Sequence, residues 1–218
     1  MQDLRIALLS TALLGLLPSC STLPSYARPT ALIVDASAVD ATDLIPYRDL
    51  TREDFKANAP PAQIAAHAER FGAFTCAQMI PNPRDGRFTI ARDGRSGDFV
   101  ARLPPVQVRS AMDRACSWWN TKGPLPPAYV LQHEQIHLAI IEVRARQLER
   151  KWQELRGRGS TPDEASEALQ RALDDAYRRA AGDVLKRSTR FDEETSAKFD
   201  PRGQERWWRR VREELEED

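Results

Sequence analysis

The chain has 218 residues, 41% hydrophobic and 29% charged, enough for one domain with a working core. Its 32 lysines and arginines balance 32 aspartates and glutamates, so no basic excess recommends nucleic acid as a partner and no acidic surplus marks a solvating tail.

The first residues read as an export signal. Arg5 precedes an apolar run over 6–17, which as helix spans only about 18 Å against a hydrocarbon core of roughly 30 Å. That is the length of a signal-peptide core rather than of a membrane span. Leu17-Pro18-Ser19-Cys20 resembles a bacterial lipobox. It predicts removal of 1–19, lipidation of Cys20, a Pro/Ser-rich tether over 20–30 and one folded domain over 31–218. Ser21 after the cysteine fits sorting to the outer membrane, facing the periplasm. Cys76 and Cys116 are then left as an even pair in an oxidising compartment, which predicts a disulfide.

Residues 31–39 ("ALIVDASAV") form a candidate strand, and a helical candidate follows Pro60-Pro61. From 71 to 119 the pattern is predominantly β: "FGAFTCAQMI", "RFTIA", "DFVARL" and "VQVRSAM" are separated by proline breaks and the turn cluster "RDGRSGD". They predict a small antiparallel sheet with prolines at its margins. "GPLPP" ends this half, and from Ala128 the chain reads as helix up to a hinge at "RGRGS". Thr161 as N-cap, Pro162 at the first helical position and Glu164 two further on predict a capping box and a second helix to about Arg187. Asp200-Pro201 opens a third helix. Strands first and helices after predict an α+β fold.

The first long helix carries "VLQHEQIHLA" and uses two of the chain's three histidines. At i and i+4, His133 and His137 share a helix face and can converge on one ion. Glu134, about 100° round, can reach a water on the open side without ligating. This is the zinc-hydrolase pattern: zinc acidifies a water and polarises a carbonyl, and the glutamate takes the proton. The neighbours from Val130 to Ala139 are uncharged apart from the motif itself, as in a buried helix. His67 reads as a structural or surface residue.

A catalytic zinc needs a third protein ligand. Glu142 is half a turn out of phase with His133 and faces away. If the second helix folds back antiparallel, Asp183 comes level with Glu134, and Asp192, Glu193 and Glu194 lie just beyond. Spacing leaves these open.

"LQHEQIH", "FDEETSAK" (191–198) and "QERW" (204–207) together resemble the secreted bacterial zinc-dependent proteases catalogued as domain of unknown function 922. That family pairs HExxH in an L-x-HE-Q-x-H setting with a downstream YDxxTxHG element and a Q-x-x-W. The likeness covers residues 71–211. It implies a zincin-like fold with Asp192 as the third ligand, Asp183 and Glu194 being the rivals. The family's His-Gly falls here on Ala197-Lys198, a departure that bears on metal binding and activity.

Trp118-Trp119 and Trp207-Trp208 read as packing aromatics. The expectation is an envelope-anchored zinc metallopeptidase acting on a peptide or protein, with a sheet edge receiving the extended chain. The alternative is a non-catalytic envelope lipoprotein or inactive homologue. A hydrolase of a non-protein amide is a third reading.

Overall fold

The computed structural model describes residues 43–83, 88–196 and 199–217. The expected signal 1–19, Cys20, the tether 20–30, the strand at 31–39 and Ala197-Lys198 lie outside the described residues. Among those described, no helix is long and apolar enough to cross a membrane.

The fold is α+β, with the β half first. Three small antiparallel sheets stand where one was expected. In the first, β6 (Val106–Asp113) lies between β1 (Leu44–Pro46) and β3 (Ala77–Pro83). The second pairs β2 (Ala73–Phe74) with β7 (Trp118–Trp119). The third has the order β4 (Thr89–Arg92), β5 (Phe99–Arg102), β8 (Arg156–Gly159). The helix expected after Pro60-Pro61 is only a 3-10 segment, Ala65–Arg70, broken at His67 where the backbone leaves helical geometry.

Three long helices follow: α1 (Pro127–Glu154), α2 (Pro162–Thr195) and α3 (Pro201–Glu217). Helix α1 closes the edge of β6 where β1 stops. The register with β1 covers only Ala111 to Asp113. Beyond it, Ser110 N–H donates to Glu142 Oε2 at 2.8 Å, and Val108 N–H donates to Glu149 Oε2 at 2.9 Å. Two glutamates a heptad apart thus serve as acceptors for strand amides that would otherwise be orphaned. Glu142 faces away from the histidines, as expected, and is buried with Arg146 Nε at 2.9 Å.

Two expectations fail for physical reasons. "RGRGS" is not a hinge but an edge strand. A Cβ on Gly157 would stand 2.0 Å from Ala165 O, and one on Gly159 would stand 2.5 Å from Glu164 Cβ. The glycines let β8 press against the first turns of α2 rather than letting the chain flex. The second helix also runs past Arg187 to Thr195. Its buried stripe continues through Val184, Ser188, Phe191 and Thr195 at helical spacing, and no Pro or Gly interrupts it before Pro201. Its start is as expected: Thr161 Oγ1 accepts from Glu164 N–H at 3.2 Å, while Glu164 Oε2 reaches back one residue further than a capping box requires, to Ser160 N–H at 2.8 Å.

Cys76 and Cys116 form a disulfide across 40 residues. Trp118 packs with Ile64, Phe74 and Cys76. Trp207 joins Ile136, Ile140, Phe191 and Val211 between α1, α2 and α3. One tryptophan of each pair is therefore core.

Candidate metal centre

Successive turns of α1 present His133 and His137, and the last turns of α2 present Asp192 opposite them. Asp192 Oδ1 lies 3.0 Å from His133 Nε2 and 3.0 Å from His137 Nε2, and the two nitrogens are 3.1 Å apart. Among the described residues this is the one group of three or more His, Cys, Asp or Glu side chains so disposed, and it could hold a metal ion.

The donor set fits. A tetrahedral zinc with bonds of roughly 2.0–2.2 Å sets its donors about 3.3–3.6 Å apart. The observed spacings fall a few tenths of an ångström inside that range. Two imidazoles and one carboxylate, drawn from two helices, are ligands that suit a divalent transition metal.

An aromatic wall fixes the imidazoles. Phe191, fully buried, stacks on His133 with centroids 4.4 Å apart and meets His137 edge-on at 5.0 Å. Trp207 backs Phe191 at 5.4 Å. With the rings wedged in this way, the imidazole rotamers are set by packing.

The electrostatics favour a cation. Burial opposes ionisation of Asp192, yet the adjacent His137 and His133 hold its carboxyl well below the usual carboxylate range. Burial likewise disfavours the charged form of His137, but Asp192, together with Glu134, raises its pKa overall. Glu134 is buried and close enough for its charge to be felt at His137, but it is not one of the three donors.

The rival ligands are committed elsewhere. Asp183 accepts from Arg144 Nη2 at 2.8 Å. Glu194 accepts from Arg190 Nε at 2.7 Å and from Trp207 Nε1 at 2.7 Å. His67 and Glu193 are not in the cluster.

Three residues given no role at the centre by the sequence turn out to frame it. Tyr129, one turn before His133, donates its hydroxyl to Thr195 O at 3.0 Å and accepts from Asp200 N–H at 3.4 Å. Gln204, fully buried, donates through Nε2 to Tyr129 O at 2.9 Å and to Gln132 Oε1 at 2.8 Å. Ser196, one turn past Asp192, places its hydroxyl beside both Asp192 and His133. The available signal was the four-residue spacing of Tyr129 from His133 and of Ser196 from Asp192. That spacing gains meaning only once the helix ends are known to meet.

The chain matches no family model, no curated protein and no solved structure.

Proposed function

We propose that the protein is a zinc-dependent metallopeptidase of the bacterial envelope, lipid-anchored through Cys20 and facing the periplasm, with Glu134 as general base. The observation that carries this reading is the convergence of His133, His137 and Asp192 on one point, with Glu134 between the histidines in sequence. The likeness of "LQHEQIH", "FDEETSAK" and "QERW" to the zinc-dependent proteases of domain of unknown function 922 supports the same assignment.

His133 and His137, as neutral imidazoles, and Asp192, as carboxylate, would hold the ion. Bound zinc supplies Lewis acidity toward a carbonyl and acidifies a water molecule. Glu134 then takes a proton from the attacking water and passes it to the departing amine. Its burial beside His137 keeps it out of bulk solvent. Phe191, backed by Trp207, holds the imidazoles in register.

The test is direct. The protein purified without its signal should hold stoichiometric zinc. Glu134→Gln should retain that zinc and lose peptidase activity by about 10²–10⁴-fold, the usual share of a general base. Absence of zinc, or an undiminished Glu134→Gln enzyme, would sink the proposal. The second reading, a non-catalytic envelope module, draws on Ala197 standing where the resembled family has histidine. It would be favoured by a zinc-loaded wild type that hydrolyses no peptide.

A further inference from the structure

Ser196 caps the C-terminal end of α2, and its N–H donates to Asp192 O at 2.7 Å. This bond fixes the serine one turn above Asp192 on the same helix face. Its Oγ stands 3.3 Å from Asp192 Oδ1 and 3.4 Å from His133 Nε2.

Two facts set this hydroxyl apart from a routine cap. The hydroxyl stands within 3.4 Å of two of the three donor atoms, so an oxygen that joins them falls within its reach. Hydroxyl hydrogen bonds are normally nearer 2.7–2.8 Å, so neither contact engages the proton strongly and the hydroxyl can turn to another acceptor. Ser196 is also exposed, whereas Asp192 is buried and His133 and His137 are half-buried. It stands on the solvent side of the centre, where a ligand must enter.

We propose that Ser196 is the binding residue that donates a hydrogen bond to an oxygen ligand entering the open side of the His133–His137–Asp192 centre. In the peptidase reading, on which this inference rests, that oxygen is the carbonyl of the scissile amide. The hydroxyl then strengthens its hold as negative charge builds on the oxygen. Sequence alone conceals this role, because Ser196 lies beyond Arg187, where the second helix is expected to end.

The test uses the full chain loaded with cobalt(II), whose visible absorption reports the coordination sphere, and acetohydroxamate as an oxygen-donor probe. Ser196→Ala should load cobalt to the wild-type stoichiometry with the wild-type melting curve. It should bind acetohydroxamate about five- to tenfold more weakly, the loss expected for one hydrogen bond. Ser196→Thr, which restores a hydroxyl, should recover most of that affinity. Equal hydroxamate affinity in wild type and Ser196→Ala overturns the proposal and leaves the metal reading intact. Failure of Ser196→Ala to load cobalt also overturns it, because the serine would then be needed to build the centre rather than to receive its ligand. A wild type that takes up no cobalt or zinc removes the metal reading, and this inference with it.

Discussion

The hydroxyl of Tyr129 donates to the backbone carbonyl of Thr195 across the α1–α2 interface, at 3.0 Å and out of solvent. Tyr129 lies one turn before His133, and Thr195 lies just beyond Asp192. The bond therefore sets how closely the carboxylate approaches the imidazoles. Burial, the largest influence on this phenol, raises its pKa, so it remains a donor at any pH the cell meets.

Removing that hydroxyl should loosen the centre without dismantling the fold. Tyr129→Phe keeps the ring but leaves Thr195 O without this donor, which should cost about 1–3 kcal/mol in chemical denaturation. Zinc affinity, measured by competition with a chelator, should fall by roughly 10–100-fold, as when an outer partner of a metal ligand is lost. Unchanged affinity with reduced stability would show that the clamp serves the fold alone.

Asp192 supplies the charge at the centre, so its neutral isostere separates shape from electrostatics. Asp192→Asn preserves size and can still contact the imidazoles, yet it loses the anion held ionised beside His133 and His137. Zinc affinity should drop by more than the roughly 100-fold upper figure for outer partners. Asp183→Asn should leave it unchanged, because Asp183 pairs with Arg144. Equal losses in the two variants would contradict the ligand assignment.

Periodicity made most of this fold legible. The uncharged stripe around "VLQHEQIHLA" marked α1, and Thr161-Pro162 marked the start of α2, because both signals are local. The third ligand was harder because it depends on where α2 ends. Once α2 is continuous through Thr195, Asp183 and Asp192, nine residues apart, point in opposite directions about two and a half turns from one another, so Asp192 meets the histidines while Asp183 meets α1 farther along, at Arg144. Charges crowded over 187–194 hid the stripe formed by Ser188, Phe191 and Thr195 that carries the helix onward. "RGRG" misled for a different reason. Glycine reads as freedom in a sequence, whereas here it makes room for a neighbouring backbone.

That last point is testable. Gly157→Ala would push a methyl to 2.0 Å from Ala165 O and 2.4 Å from Leu169 N, both backbone atoms that cannot swing aside. Strand β8 would have to leave α2 or β5. The expected destabilisation is about 3 kcal/mol or more, at the upper end of overpacking costs. Gly182→Ala, where a new Cβ meets nothing within 4 Å, should be neutral or slightly stabilising. Thermal melts of the two variants should therefore shift in different directions. A mild Gly157→Ala would mean that β8 is not held against α2.

Acid stability should be governed in part by Asp54, which anchors the segment clamped to the histidine-bearing helix α1. Gln135 accepts from Leu50 N–H at 2.6 Å and donates to Arg48 O at 3.2 Å, so the backbone of 48–50 is tied to the face of α1 opposite the histidines. Asp54 holds that segment from the other side, accepting from Arg48 at 2.6 and 2.9 Å and from Thr51 N–H at 2.9 Å. Burial works against its ionisation, but the Arg48 contact and the Thr51 amide keep its pKa below the ordinary value. A carboxylate depressed in the folded state contributes stability that is fully present above its unfolded pKa, about 3.9, and is lost as pH falls through the folded value. Asp54→Asn should thus be less stable than wild type near neutrality by about 1–2 kcal/mol, with half-exposed Arg48 keeping the figure modest. The gap should hold down to about pH 4 and close below it, since a protonated Asp54 and an asparagine are then nearly equivalent. Urea denaturation across that range reads the difference. A gap that persists unchanged at low pH would place the cost of the substitution in packing rather than in the ion pair.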